Sequence, residues 1–225
     1  MGIKEATLIS NESYYRNHIQ KSLGRVQLSK FTAPLVTQFM SGVAKRKQKN
    51  GTPYSVATIN KTKEVLSKYL SYAMRLGFID YNPCMAVGRF KRPSDYNTKA
   101  PNFWEVKTFK YFLSFVDDPF WSDVFTFLFE TGVREGEFLA LQWSDVDLGA
   151  GTISIKKTLT YKTLDRGWAL TSPKTKNSIR RIDLQDSLLE LLRRRYAASS
   201  CVDGFSSDFF VFGDVAPMSR QKLAT

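Results

Sequence analysis

Three side chains in the second half of the chain, Arg134, Glu137 and Lys174, are of types that can act on a phosphodiester. Phosphoryl transfer needs cations around a nonbridging oxygen as charge develops there, and a proton donor for the departing sugar oxygen. Arg134 follows Thr131-Gly132 at the predicted start of a helix, and Glu137 lies one turn further along, where it could orient the guanidinium. Spacing alone favours a structural helical ion pair for these two residues.

Lys174 belongs to a polar segment, residues 171–183, that is predicted to connect two strands. A lysine at the tip of such a turn can reach into a groove, and Arg180 lies near the start of the next strand. Taken alone, the segment is more simply interpreted as a loop with solvated cations.

The elements that must position these side chains are predicted to be mainly helices, joined by short strands. Helices are expected at 104–116, 122–131, 132–143 and 186–196, strands at 152–155, 168–170 and 179–184, and a fully apolar strand or core turn at 209–212.

The first part of the chain is predicted to be helical throughout. Helices are expected at 13–22, from a cap at Ser29 or Thr32 to residue 47, and from the cap Ser55 to just before Gly77. The last of these is the best defined, because it has both a start signal and a stop signal.

Three cations on that helix, Lys61, Lys68 and Arg75, recur every seven residues and form a line about 20 Å long, which we call the basic stripe. Such a line can follow the phosphates of a nucleic acid. The alternative is an ordinary solvated helix face. That alternative has less support than usual, because no acidic residue lies four positions from Lys61 or Arg75.

The excess positive charge of the chain lies in this first part. The formal net charge is +12; residues 1–100 contain 17 Lys and Arg against 5 Asp and Glu, whereas residues 101–225 contain 16 of each. A domain this basic attracts a polyanion, and nucleic-acid phosphate is the commonest one because its neutralisation releases counterions. A basic surface that serves only solubility is the alternative that charge leaves open.

A basic stretch punctuated by proline separates the two parts and predicts a linker. We therefore expect a helical domain at residues 1–88, a linker at 89–101 and a second domain at 102–225. Arg89, Lys91 and Arg92 are the cations with which the linker begins.

Other classes of function have little support in the sequence. Cys84 and Cys201 lack the spacing of a zinc site or a disulfide framework, so buried reduced thiols are expected. No cluster of Asp, Glu and His suggests a two-metal nuclease, and no apolar run approaches the roughly 20 residues that span a bilayer. The expected protein is cytoplasmic, without a metal or a cofactor.

Two motifs carry a resemblance to a known family. The residues TGVREGEFLALQWSDVDL, followed about 40 residues later by SPKTKNSIRRIDL, resemble the first conserved box and the β-hairpin lysine of tyrosine recombinases. The sequences of these two motifs resemble those of integrases from Gram-positive phages and conjugative transposons. Upstream, VATINKTKEVLSKYLSYAMRLGFIDYNPC is similar to the helical core-binding domain of the family, so the resemblance covers about residues 14–223.

The resemblance implies a fold and a mechanism. An all-helical, SAM-like core-binding domain would be followed by part of an α+β catalytic domain, and in the family the two close around duplex DNA as a C-shaped clamp. A tyrosine near the C-terminus attacks the phosphate to give a 3′-phosphotyrosine, so religation needs no ATP and the reaction needs no metal. The full-length protein is expected to form a tetramer on DNA, and the present chain to be monomeric.

Roles for single residues follow from the same resemblance. Arg134 is expected to be the first catalytic arginine, Glu137 its supporting acid, and Lys174 the proton donor to the leaving 5′ oxygen. Contacts with the DNA backbone, which position more than they specify, are expected from the following residues: Lys61, Lys68, Arg75, Arg89, Lys91, Arg92 and Arg180.

Part of the family's active site has no counterpart in the sequence. The family's His-x-x-Arg box is missing, because the one histidine, His18, lies far upstream, and no tyrosine follows the nucleophile motif. The arm-binding domain that usually comes first is missing too. We therefore expect a fragment of an integrase that binds DNA without cleaving it. A naturally truncated decoy or regulator is the alternative, and continuation of the reading frame into a His-x-x-Arg box would distinguish the two.

Overall fold

The computed structural model describes residues 3–92, 103–165, 167–173, 178–219 and 223 of the chain. The chain divides into two compact units, Met1–Pro101 and Asn102–Thr225, which we call unit 1 and unit 2. Unit 1 is built from helices, and unit 2 combines helices with two small antiparallel sheets. The predicted fold class, mainly α with a small antiparallel sheet, is confirmed.

Unit 1 contains four α-helices and three shorter helical turns among its described residues. They are α1 (Glu5–Tyr14), a π-helical turn (Tyr15–Ile19), α2 (Gln20–Leu23), a 3-10 turn (Leu28–Lys30), α3 (Ala33–Lys45), α4 (Val56–Arg75) and a 3-10 turn (Pro83–Ala86). The helix predicted at 13–22 is thus the end of a longer helical run. The sequence pattern missed its start because α1 buries only one residue, Asn11.

Local signals set the bounds of α3 and α4. The hydroxyl of Thr32 accepts a hydrogen bond from the backbone N–H of Leu35, and Ser55 does the same for Thr58. Gly77 follows α4 with a φ of +75°, a conformation that favours glycine. Apolar side chains on the facing sides of the two helices form the core of unit 1: Val36, Phe39, Met40, Val43, Ile59, Val65, Leu66 and Leu70.

The chain returns along α4 after that helix ends. The side-chain amide of Asn82 donates hydrogen bonds to Ser67 and Ser71, and its oxygen accepts one from the backbone N–H of Cys84. Further on, the amide of Asn60 accepts from the backbone N–H of Phe90 at 2.9 Å and donates to its carbonyl at 3.0 Å. Phe90 of the predicted linker is therefore bonded to α4, and residues 93–101 of that linker lie outside the described residues.

Unit 2 contains four α-helices, five strands and one 3-10 turn among its described residues. They are α5 (Val106–Leu113), α6 (Pro119–Thr131), α7 (Glu135–Leu139), a 3-10 turn (Trp143–Asp145), β1 (Val146–Asp147), β2 (Thr152–Ile155), β3 (Thr158–Thr160), β4 (Ala169–Thr171), β5 (Arg180–Asp183) and α8 (Asp186–Ser200). One sheet has the order β1-β2-β5, and the other pairs β3 with β4.

The strand pairing corrects the expectation of a single hairpin around Lys174. In the part of the chain that the structure describes, β4 pairs with β3, with Leu170 opposite Leu159, whereas β5 pairs with β2, with Ile182 opposite Ile153. The two strands that flank Lys174 in sequence thus belong to different sheets. The pattern missed β3 because this strand is three residues long and buries a single side chain, Leu159.

The helix predicted at 132–143 is shorter than expected. The backbone leaves the helix after Leu139 because it pairs with the apolar segment 209–212: the Leu141 carbonyl accepts from the N–H of Val211, and the Trp143 N–H donates to Phe209. The apolar segment 209–212 is buried, as predicted. The ring centroid of Phe212 lies 4.6 Å from that of Phe138. This packing fixes the start of α7 in the core of unit 2.

The two cysteines differ. Cys84 is buried, as expected, and burial raises its pKa to about 11. Cys201 is exposed, so the expectation that both thiols are buried is wrong for this residue, which caps the C-terminus of α8 where the chain meets solvent.

Candidate active site and nucleic-acid interface

Arg134 stands at the N-terminus of α7, immediately after a sharp turn. Gly132 ends α6 with a φ of +59°, Val133 is buried, and Arg134 is the N-cap of the next helix. The Arg134 side chain is 74% exposed. The guanidinium therefore projects into solvent from a backbone that is held on both sides by the core.

Gly136 lets α7 approach β3 closely. A Cβ at this position would lie 2.5 Å from Oγ1 of Thr158 and 3.0 Å from the carbonyl oxygen of Leu159. Only a residue without a side chain fits there, so the position of Arg134, two residues earlier, depends on this contact.

Glu137 is the buried partner of Arg134. Its side chain is 5% exposed; Oε1 accepts a hydrogen bond from Nη1 of Arg134 at 2.9 Å, and Oε2 accepts one from the Arg134 backbone N–H at 3.1 Å. The ion pair that spacing predicted is present, and the same carboxylate also caps the start of α7.

Arg180, the first residue of β5, reaches the same carboxylate. Its Nη2 lies 2.7 Å from Oε2 of Glu137, and its side chain is 31% exposed. The sequence predicted this residue as a DNA contact and missed its place beside Arg134. Nothing in the spacing could reveal it, because 46 positions separate the two arginines.

The pKa of Glu137 reflects these contacts. Burial raises it, but the hydrogen bonds from Arg180 and from the backbone and side chain of Arg134 outweigh that effect and hold the pKa at about 2. Glu137 is thus a carboxylate at neutral pH. Because the guanidiniums of Arg134 and Arg180 both pair with this one carboxylate, the three side chains together have a net positive charge and can attract an anion.

Lys174 lies outside the described residues, so its approach to Arg134 stays a prediction. Among the described residues, no group of three or more His, Cys, Asp or Glu side chains could hold a metal ion.

The basic stripe lies on α4, and two of its three cations, Lys61 and Lys68, share one acidic neighbour, Glu64. Nζ of Lys61 lies 2.9 Å, and Nζ of Lys68 2.8 Å, from Oε1 of Glu64. Hydrogen bonds from Lys68 and Lys61 lower the pKa of Glu64. A search for acids four positions from Lys61 and Arg75 could not find it, because Glu64 lies three positions from Lys61. The third cation, Arg75, stands over the ring of Tyr72 at 5.7 Å.

A groove of about 1070 Å³ runs beside the basic stripe in unit 1. All three stripe residues and Arg89 line it, together with exposed Tyr69 and Tyr72. The other two linker cations are not among the residues that line the groove. Lys91 is exposed, and Arg92 donates a hydrogen bond to the Tyr54 carbonyl at 3.0 Å. The groove therefore combines cations that can pair with phosphates and aromatic faces that can contact sugars or bases.

No helix in the described ranges has the length and apolar character that crossing a membrane requires.

Comparisons with known proteins agree with these motifs. A family model described as "Phage integrase family" matches residues 113–225. The chain is 34% identical over 194 residues to the ICEBs1 integrase of Bacillus subtilis (strain 168), covering 82% of this chain and 50% of that protein. It is 26% identical over 211 residues to a tyrosine recombinase XerC-like protein of Caldanaerobacter subterraneus subsp. tengcongensis, covering 86% of this chain and 50% of that protein. The chain spans about half the length of these relatives.

Solved structures show the same fold. The Tn1549 transposon integrase in complex with transposon right end DNA matches with a TM-score of 0.74 at 21% identity, covering 97% of this chain and 69% of that one. A lambda integrase tetramer bound to a Holliday junction matches with a TM-score of 0.64 at 16% identity, covering 99% and 58%.

Proposed function

The chain belongs to the phage integrase family of tyrosine recombinases, and on that basis we propose that it serves site-specific DNA recombination for a mobile element. The proposed reaction breaks and rejoins DNA strands through a 3′-phosphotyrosine. Because each strand break conserves the phosphodiester energy in the covalent intermediate, rejoining needs no other energy source. We place this activity in the cytoplasm, where the DNA of a bacterial host lies.

The observation that carries the proposal is the exposed guanidinium of Arg134 held by the buried carboxylate of Glu137. Catalysis of phosphoryl transfer depends on charges that are already in place when the transition state forms. Arg134 meets this need, because α7 is fixed by the core and by the close contact at Gly136.

Each residue of the proposed active site has a separate role. Arg134 binds a nonbridging oxygen of the scissile phosphate, Glu137 orients Arg134, and Lys174 gives a proton to the leaving 5′ oxygen. These 225 residues contain no His-x-x-Arg box, so we propose that this chain alone binds DNA without cleaving it.

DNA binding is assigned to the groove of unit 1. The support is the charge of residues 1–100 and four cations that line the groove: Lys61, Lys68, Arg75 and Arg89. We propose that Lys91 and Arg92, which follow Arg89 in the chain, extend this basic surface. We propose duplex DNA as the partner, and assembly of the full-length protein into a tetramer on it, because similar integrases are known in such complexes.

Binding of duplex DNA by the chain, measured by fluorescence anisotropy at several salt concentrations, tests the interface. Changing Lys61, Lys68 and Arg75 together to Ala should lower the slope of log K against log salt by nearly 3, since about three phosphate contacts are lost. An unchanged slope would remove the basic stripe from the interface.

The catalytic assignment is tested with a protein that contains both this chain and the nucleophilic tyrosine. On a suicide substrate, which traps the covalent DNA–protein adduct, Arg134→Ala and Lys174→Ala should each reduce adduct formation by about 100-fold or more. The matched control is Arg181→Ala, which removes an exposed cation from the same strand as Arg180. Adduct formation at the unmodified rate in both active-site variants would refute the assignment.

A further inference from the structure

One buried carboxylate, that of Glu137, joins two guanidiniums that come from different elements. Arg134 comes from the N-terminus of α7 and Arg180 from the start of β5. Both bonds are within normal hydrogen-bond range, at 2.9 Å for Arg134 and 2.7 Å for Arg180. The pairing therefore ties the sheet to the helix that carries Arg134.

Arg180 is the stronger partner of the two. Its side chain is 31% exposed, against 74% for Arg134, so water screens the Arg180 bond less. Among the contacts that hold the pKa of Glu137 low, the hydrogen bond from Arg180 has the largest effect. A buried carboxylate needs such a partner, since an unpaired buried charge is strongly unfavourable.

The two oxygens of the Glu137 carboxylate accept hydrogen bonds from different donors, and this arrangement limits how Arg134 can pair with it. Arg180 occupies Oε2, which also accepts the Arg134 backbone N–H, so the Arg134 guanidinium is held through Nη1 on Oε1. A guanidinium has five N–H donors. The others belong to an exposed group and can reach a phosphate. Without Arg180, Oε2 would be open to a bidentate pair with Arg134, which would draw that side chain back toward Glu137.

We propose that Arg180 is a positioning residue: it acts through Glu137 to keep Arg134 available for phosphate, and does not itself contact DNA. The proposal revises the role that the sequence suggested for Arg180. The proposal has two halves. The phosphate half, that Arg134 is kept available for phosphate, rests on the proposed function. The carboxylate half, that Arg180 binds and stabilises the Glu137 carboxylate, concerns the chain alone.

The carboxylate half is tested without DNA. The side-chain carboxyl carbon of Glu137 is followed by ¹³C NMR as a function of pH in the unmodified chain and in Arg180→Ala, Arg180→Lys and Arg181→Ala. In Arg180→Ala the pKa of Glu137 should rise from about 2 by about one unit or more, because a neighbouring cation is removed. Arg180→Lys should restore much of the effect, and Arg181→Ala should leave the titration unchanged. Equal titration in Arg180→Ala and Arg181→Ala would overturn the proposal.

The phosphate half is tested by a mutant cycle on DNA affinity. Arg134→Ala should weaken duplex binding by about tenfold, the effect of one lost charge-assisted hydrogen bond. If Arg180 acts through Arg134, Arg180→Ala should weaken binding in the unmodified chain and have little further effect in Arg134→Ala. Losses that multiply in the double variant would show a separate DNA contact by Arg180 and overturn the proposal. A chain that binds no DNA would refute the proposed function, and the Glu137 titration would still decide the role of Arg180.

Discussion

Replacing Glu137 by Gln should destabilise unit 2 in a way that depends on pH. The pKa of this carboxyl is about 2 in the folded chain and near its ordinary value of 4.5 when unfolded. Because each pH unit corresponds to about 1.4 kcal/mol, the ionised form contributes about 3 kcal/mol of stability. A group whose folded pKa is lowered contributes fully above its unfolded pKa and loses its contribution as pH falls through the folded value. The contribution should thus be complete at pH 6, about 1 kcal/mol at pH 3, and almost absent at pH 2.

Denaturant unfolding measured by tryptophan fluorescence suits this test, because all four tryptophans of the chain lie in unit 2. The unfolding free energy of the unmodified chain is compared with that of Glu137→Gln at pH 6 and pH 3. Glu190→Gln, which changes an exposed carboxylate on α8, is the matched control. The reasoning is refuted if the difference between the unmodified chain and Glu137→Gln is the same at both pH values.

Three further results are expected. Glu64→Gln should free the two lysines that its carboxylate pairs with and tighten duplex binding about threefold at low salt in an anisotropy titration; weaker binding would count against the groove as the interface. Gly136→Ala should lower the unfolding free energy of unit 2 by about 1–3 kcal/mol. The control Gly149→Ala should have little effect, because a Cβ there makes only an ordinary van der Waals contact. Equal losses in the two variants would contradict the close approach of α7 to β3. A thiol reagent should label Cys201 in the folded chain and spare Cys84, as read by mass spectrometry, and equal labelling would contradict the difference in burial.

Signals that act over a few residues predicted much of the fold. Ser55 and Gly77 marked the two ends of α4 because capping depends on the backbone groups of one helical turn. The pairing of Arg134 with Glu137 was predictable for the same reason, since three positions on a helix bring side chains together.

Contacts that depend on tertiary packing were not predictable. Arg180 meets Glu137 only because β5 pairs with β2 and α7 packs on β3, and β3 itself is too short to leave a pattern. The early end of α7 is of the same kind, because it depends on pairing with a segment about 70 residues further along.

The hydrogen bonds between Asn60 and Phe90 restrict which residues can replace these two during evolution. The amide of Asn60 recognises only the backbone of its partner, as a neighbouring strand would. Position 90 can therefore accept other apolar residues but not proline, which has no N–H to offer. Position 60 is far more restricted: Asp has no donor for the carbonyl, and Gln sets the same amide one methylene further out. In homologues of this protein, the asparagine should be retained where the phenylalanine varies.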